Sequence, residues 1–549
     1  MPTRSADRTR PIARPAAAGP TKIGAAKIAS PASTKSAPRR SGASNVPAER
    51  APSARLEPGQ PDPSAGGPVP RDVLAVPAEG LGSRPQPAKR VIVIGGGIAG
   101  LVAAFELARQ GHEPIVLEAQ HRVGGRVYTM RDFAPGLYAE AGAMRIPKVH
   151  DLTLSYCELF GLPMRPFVMG NPRTLVHIGG ERMTAEEADR EPGRLPFDLA
   201  ENERGRTWTE LWNEATREFR ERYAIAGQPG LDELLREYDQ YSIREFLQRA
   251  GFSEGAIELY GVMSFREANM NAAVVEQLRE IVGRSFEDMQ EIVGGLDLLP
   301  TAFYRAMPER VRFGAQVTSI SQDDASVTVH YETRSGSFAV TGDYAVCAIP
   351  FSVLREIEVA GRPFSRPKQK AIRELNYNAS TKILLQVRHR FWEAEDGIVG
   401  GTTVTELPIR RICYPSFSDP NDERGMMLAS YTWGQDALRW GSLEPREMIE
   451  QAIEDVAQVH PSIRTEFEVG ATYAWYNDPY ARGAFALFEP EQWTRLQADI
   501  IAPEGRIHFA GEHTSLYHAW IQGALESGIR AAREIHEARP VMEPVAERS

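Results

Sequence analysis

Cysteine is scarce in this chain: 549 residues hold three, Cys157, Cys347 and Cys413, far apart and each in an apolar setting. They make neither a disulfide framework nor metal-ligand spacing, so they read as core thiols and no metal is expected. Long hydrophobic runs are missing as well, and no apolar stretch reaches the length of a transmembrane helix. An excess of positive charge is also missing: the formal net charge is −10, which argues against a nucleic-acid partner. Residues 1–86 lack aromatic side chains and apolar periodicity and are dominated by Ala, Pro, Ser and Arg. Such a segment cannot bury enough surface to offset its ordering entropy and is expected to be a disordered tail.

That tail differs from the rest in charge. Up to position 55 it holds eleven basic residues, from Arg4 to Arg55, against only Asp7 and Glu49. A solubilising or removable extension is the plainer reading; contact with membranes, nucleic acid or an acidic partner is the other. No apolar stretch follows Arg39-Arg40, so a secretory signal is not supported. A cytoplasmic location is slightly favoured, with export by another route left open.

Against these absences stands a hydrophobic content of 42%, enough over this length for a large core and two or more domains. The clearest local pattern runs from Lys89 to Arg126. Val91-Ile92-Val93-Ile94 is a β-branched run too short for a helix and reads as a buried parallel strand. Gly95, Gly97 and Gly100 follow at G-x-G-x-x-G spacing, with Ile98 and Ala99 among them. Gly95 permits the tight turn, Gly97 lets backbone N–H groups approach a pyrophosphate, and Gly100 lets the helix Leu101 to Arg109 pack closely on the strand. A second strand, Pro114 to Leu117, delivers Glu118 about twenty residues on, where an acid accepts hydrogen bonds from an adenosine ribose. Strand, helix, strand and acid in register read as a dinucleotide site.

Directly after Glu118 comes Ala119-Gln120-His121-Arg122-Val123-Gly124-Gly125-Arg126-Val127. It resembles the E-A-x-x-x-x-G-G-R signature of the flavin amine oxidase superfamily, in which the paired glycines and Arg126 would lie along the pyrophosphate of FAD. Further motifs follow in family order: Gly142-Ala143-Met144-Arg145-Ile146-Pro147, Ile292-Val293-Gly294-Gly295-Leu296-Asp297, Ala379-Ser380-Thr381-Lys382-Ile383, Phe391-Trp392, Tyr414-Pro415-Ser416 and His518-Ala519-Trp520-Ile521. Six motifs in order are more specific than any one of them. Within the superfamily the likeness is greatest to L-amino acid oxidases and covers almost everything from Lys89 to Glu537.

The resemblance implies an α/β chain, α+β overall: a Rossmann-like FAD-binding domain, a mixed-sheet substrate domain and a helical insertion. The expected divisions are a tail at 1–86; the FAD-binding domain at 87–128, 290–374 and 501–538; the substrate domain at 129–184 and 375–500; the helical domain at 185–289; and a flexible C-terminal tail at 539–549. Alternation from Val311 to Pro350 reads as a meander joined back to the parallel sheet, while 185–291 reads as helical throughout.

By the same resemblance FAD would also meet Gly142, Ala143, Met144, Arg145, the backbone of Val317, Trp475, Gly511, Glu512, Trp520 and Ile521. Arg145 would hold the substrate carboxylate by a bidentate bond, with the Tyr414 hydroxyl as second donor. Phe485 and Trp520 would form an apolar slot, and the Ala519 carbonyl would accept from the substrate amine. Lys382, on an apolar strand, would serve re-oxidation. One departure concerns Arg279, which stands where some L-amino acid oxidases carry a His proposed as base. A guanidinium cannot act as a base near neutral pH. Either the amine arrives neutral or deprotonation needs no protein base; Arg279 then selects acidic or polar side chains, or is an exposed helix charge.

The expected activity is FAD-dependent oxidation of an L-amino acid by dioxygen to a 2-oxo acid, ammonia and hydrogen peroxide, the α-hydride passing to flavin N5, in a homodimer. An amino-acid 2-monooxygenase, a monoamine or polyamine oxidase, and a flavin-binding protein without turnover remain open alternatives.

Overall fold

The computed structural model describes residues 22–24, 69–82 and 87–538. Its centre is a five-stranded parallel sheet in the order Val311–Phe313, Glu113–Glu118, Arg90–Ile94, Tyr344–Cys347, Ile507–Phe509. The apolar run 91–94 is the central strand, buried on both faces by the helices packed over it. Gly95 turns the chain at φ +101°, and the helix Ile98–Arg109 returns so closely that a Cβ at Gly100 would lie 2.0 Å from the Gly95 carbonyl oxygen. The helix Ile521–Glu537 packs beside it, where a Cβ at Gly528 would meet the Ala99 carbonyl at 2.4 Å.

The meander divides differently from expectation. Val311–Phe313 and Tyr344–Cys347 join the parallel sheet, whereas Gln316–Gln322, Val327–Thr333 and Gly336–Gly342 form a separate four-stranded sheet completed by Glu358–Gly361.

The second large layer is an eight-stranded mixed sheet. Its middle strands are Phe467–Ala474, Ser380–Val387, Gly425–Trp433, Arg411–Cys413 and Thr402–Thr405, and the hairpin Leu175–Ile178 and Glu181–Thr184 forms one edge. Period-2 alternation gives this sheet two faces. Ile383, Leu385, Ile412, Met427 and Ala429 bury one face under the helix Pro445–Val459. Lys382, Tyr431 and Tyr473, which share a register position, lie on the other.

Helices from Ala185–Arg190 to Val275–Val282 form the insertion, with capping boxes at Thr184/Glu187, Thr207/Glu210 and Ser242/Glu245. It is not helical to Glu291: Met289–Ile292 is a strand pairing with Ile146–Pro147 and Met164–Pro166.

The expected disordered tail also needs correction where it is described. Lys22–Gly24 pairs antiparallel with Phe467–Ala474, and Arg71–Leu74 and Val76–Glu79 are helical. Val69, Val73, Val76 and Leu81 are buried in the same core as the helices around the nucleotide turn, and Arg109 Nη1 donates to the Val76 carbonyl at 3.1 Å. This short run has enough apolar residues to offset its ordering, which the composition of the whole segment concealed. The rest of the tail and 539–549 lie outside the described residues. The three cysteines are free and buried. Among the described residues no helix is long and apolar enough to cross a membrane, and no group of His, Cys, Asp and Glu is placed to hold a metal.

Candidate active site

A cavity of about 820 Å³ lies between the parallel sheet, the mixed sheet and the insertion. One stretch of its wall is built from the nucleotide turn: Gly95, Gly97, Ile98 and Ala99 at the start of the helix, then Glu118 and Ala119. A Cβ at Gly97 would meet nothing within 4 Å, so backbone faces open cavity there. The Glu118 carboxylate accepts from Gly96 N–H and Gln120 N–H, both at 2.7 Å, which aims it although burial pushes its pKa upward.

The second glycine turn closes on the first, Gly124 N–H donating to the Gly96 carbonyl at 2.9 Å. Gly125 and Arg126 line the cavity beside it. Arg126 donates to Glu512 Oε1 at 2.7 Å, and Glu512 Oε2 accepts from Ala519 N–H at 2.9 Å, tying the turn to the loop 511–520. Val317 lines the same cavity. Open backbone at a helix N-terminus, an aimed carboxylate and a guanidinium fit a dinucleotide.

The remaining wall is richer in side chains. Gly142, Ala143, Met144 and Arg145 run past the face of the mixed sheet that carries Lys382, with Gly142 so close to the second turn that a Cβ would lie 1.9 Å from the Arg126 carbonyl oxygen. Lys382 Nζ donates to the carbonyls of Glu140 at 3.0 Å and Gly142 at 2.7 Å and lies over the Tyr431 ring at 4.5 Å. Burial lowers its pKa to about 7, against the attraction of Glu140. Burial likewise raises the Glu140 carboxyl, to about 7.

Trp475 is anchored by Nε1–H to the Ala141 carbonyl at 2.8 Å, and Phe485 packs edge-on against Trp433 at 6.0 Å. Gly511, Ala519, Trp520 and Ile521 complete this side; Trp520 sits against His150 and Phe286 at 5.1 and 5.8 Å.

Arg145 is exceptional among the cavity's arginines. Arg126 pairs with Glu512 and Arg266 with Glu280. Among the described residues Arg145 makes no hydrogen bond or ion pair, and its Nε is fully buried without a partner. A guanidinium is costly to leave so, and its fork is shaped for a carboxylate.

Two expected substrate contacts are not in this cavity. Tyr414 is buried on the opposite face of the mixed sheet, its hydroxyl 2.8 Å from Thr403 Oγ1 and 2.6 Å from His460 Nε2. The strand's parity explains this: Arg411 and Cys413 face the cavity side, Ile412 and Tyr414 the other. Tyr414→Phe should therefore leave kcat/KM within about twofold while costing about 1–3 kcal/mol of stability, readable by thermal melting. Arg279 turns from the cavity to pair with Glu276 beside the rings of Phe488 and Trp493. Gly100 lies inside the helix packing and does not reach the wall.

Sequence reading missed Tyr431 and Trp433, which sit opposite Lys382 and Ser380 and line the cavity. The alternation of Gly425–Trp433 was the available signal. The Arg411 guanidinium supports both, lying 4.4 Å and 4.3 Å from their ring centres. Arg266, Glu276, Gln277, Glu280 and Phe286 of the insertion were missed as well; only packing brings them here.

A family model, Flavin containing amine oxidoreductase, matches residues 98–536. The chain belongs to this family. FAD is the cofactor of this flavin amine oxidoreductase, and the dinucleotide cradle fits it. Its relatives include the Bacillus subtilis (strain 168) protein YobN, 40% identical over 85% of this chain and 98% of its own length. The L-amino acid oxidase of Cerastes cerastes is 34% identical over 85% of this chain and 90% of its own. In fold the oxidoreductase resembles putrescine oxidase, with a TM-score of 0.66 at 20% identity over 82% of this chain and 99% of that one.

Proposed function

We propose that the protein oxidises L-amino acids to 2-oxo acids, ammonia and hydrogen peroxide. The observation that carries this reading is Arg145: an unpaired, largely buried guanidinium on the wall of a cavity that also presents Lys382 and an aromatic slot. A simple amine gives such a group nothing to bind, whereas an α-carboxylate takes both prongs of the fork. Relatives named L-amino acid oxidase, at 34% identity over most of the chain, support it.

When bound, FAD would supply a two-electron acceptor for the hydride of the α-carbon, re-oxidised by dioxygen. The chain's own residues hold and orient. Gly97, Ile98 and Ala99 would offer backbone N–H groups to the pyrophosphate, Arg126 its positive charge, and Glu118 its carboxylate to the ribose. Arg145 fixes the substrate carboxylate, and Phe485 and Trp520 confine the α-carbon between rings. Fixing both ends of the reacting unit is where the rate comes from.

The test is anaerobic mixing of the yellow protein with each of the twenty L-amino acids, followed by admission of oxygen and assay of products. Bleaching with 2-oxo acid and peroxide formation is expected. An amide product would instead assign a 2-monooxygenase, and bleaching by amines alone would overturn the amino-acid reading.

A further inference from the structure

We propose that His518, oriented by Glu276, is the general base that takes a proton from the substrate ammonium; the assignment rests on the amino-acid reading above. His518 Nδ1 lies 3.1 Å from Glu276 Oε1, and the two side chains are only 2% and 6% exposed. Both residues line the main cavity, and His518 is the immediate neighbour of Ala519 and Trp520. The carboxylate comes from the helix Val275–Val282, so the insertion and the loop 511–520 meet through this contact.

Glu276 is ionised. Against the cost of burial, the charge of Arg279 and the hydrogen bonds from His518 and from the Phe488 N–H, which donates to Oε1 at 2.9 Å, hold its pKa down. A carboxylate facing Nδ1 requires a proton on that nitrogen, which leaves Nε2 of the neutral ring as an acceptor. Nε2 is buried and has no partner. An imidazole fixed by a carboxylate on one nitrogen and free on the other has the arrangement of a base awaiting a donor.

The ring is held in place: Phe488 packs edge-on at 4.6 Å, and the following residue, Ala519 at φ +65°, is pinned by its N–H to Glu512. The charged and titratable groups around it are Glu276, Arg279 and Glu280 of the helix, and Glu512 and His513 of its own loop. The cavity's other candidates are engaged, Glu280 with Arg266 and Lys382 with two backbone carbonyls. In the step, one N–H bond of the ammonium breaks, its electron pair stays on the amine, and the proton bonds to Nε2. The imidazolium so formed is stabilised by Glu276.

The experiment is the pH dependence of anaerobic reduction by a saturable amino acid in wild type, His518→Asn, Glu276→Gln and Lys382→Met, each checked for bound flavin and melting temperature. In His518→Asn, the second-order rate of reduction at low substrate should fall roughly 10²-fold or more at neutral pH, and the acidic limb should move up to the ionisation of the free substrate amine. In Glu276→Gln the limb should move the opposite way, because the imidazolium loses its counter-charge, with a lower plateau. A mere packing role would lower both profiles without moving either limb. That result, or a limb moved by Lys382→Met alone, overturns the assignment. A wild type that bleaches with no L-amino acid overturns the substrate reading and this assignment with it.

Discussion

Arg145→Met is expected to lower kcat/KM for L-amino acids roughly 10²–10³-fold, the cost of about 3–4 kcal/mol that follows loss of one partner in a buried charged pair. The side chain has no other duty among the described residues, since it bonds to no protein acceptor. Removing it takes away the only unpaired guanidinium among the cavity's described residues, and the space is refilled by an apolar stem of similar length, so flavin content should persist. Both terms should suffer, KM through lost binding and kcat through lost orientation of the α-hydrogen. Arg145→Lys should fall between, keeping the charge without the fork. The decisive comparison is the amine lacking only the carboxylate: its slow reduction should be unchanged by either substitution. Equal losses for acid and amine would show Arg145 to be a structural residue.

Lys382→Met is expected to slow re-oxidation by dioxygen about 10²-fold while changing the anaerobic reduction rate by less than about tenfold, the size of effect seen when one preorganised charge is removed from a developing anion. Lys382 is the cavity's ammonium, on a strand otherwise apolar at Ile383, Leu384 and Leu385. With burial holding its pKa at about 7, the ammonium is the dominant form below that value and is lost above it. The wild-type re-oxidation rate should therefore decline as pH rises through about 7, and the variant should be flat. Lys382 also donates to the Glu140 and Gly142 carbonyls, so a fall in melting temperature is expected alongside. Loss of stability with unaltered re-oxidation would leave only that structural duty.

How much of this was legible beforehand varied with the range of the forces involved. The turn at Gly95, Gly97 and Gly100 was legible because a strand, a sharp turn and a closely packed helix are steric matters settled within ten residues. Arg145, Lys382 and Trp520 were legible only through their motifs, since no local pattern distinguishes a substrate arginine from a surface one. Tyr414 and Tyr431 show the limit. Tyr431 lies on the strand Gly425–Trp433 and Tyr414 directly follows the strand Arg411–Cys413; a single step of parity decides which faces the cavity, and that parity is set by pairing with neighbouring strands, which is non-local. Arg279 failed for a related reason. Glu276, Gln277 and Glu280 form the helix face on the cavity, and position 279 falls off its edge, toward Phe488 and Trp493.

By itself the amino-acid sequence determined the nucleotide-binding βαβ unit, the acid at its second strand and the periodicity that separates sheets from the helical insertion, because glycine sterics and apolar spacing act along the chain. Tertiary structure alone decided which side chains share the cavity. Only folding joins His518 to Glu276 across 242 positions, leaves Arg145 without a partner, and orders residues 69–82 against the core. Those outcomes depend on which charges and apolar surfaces meet after long loops close, and no short window of sequence contains both partners.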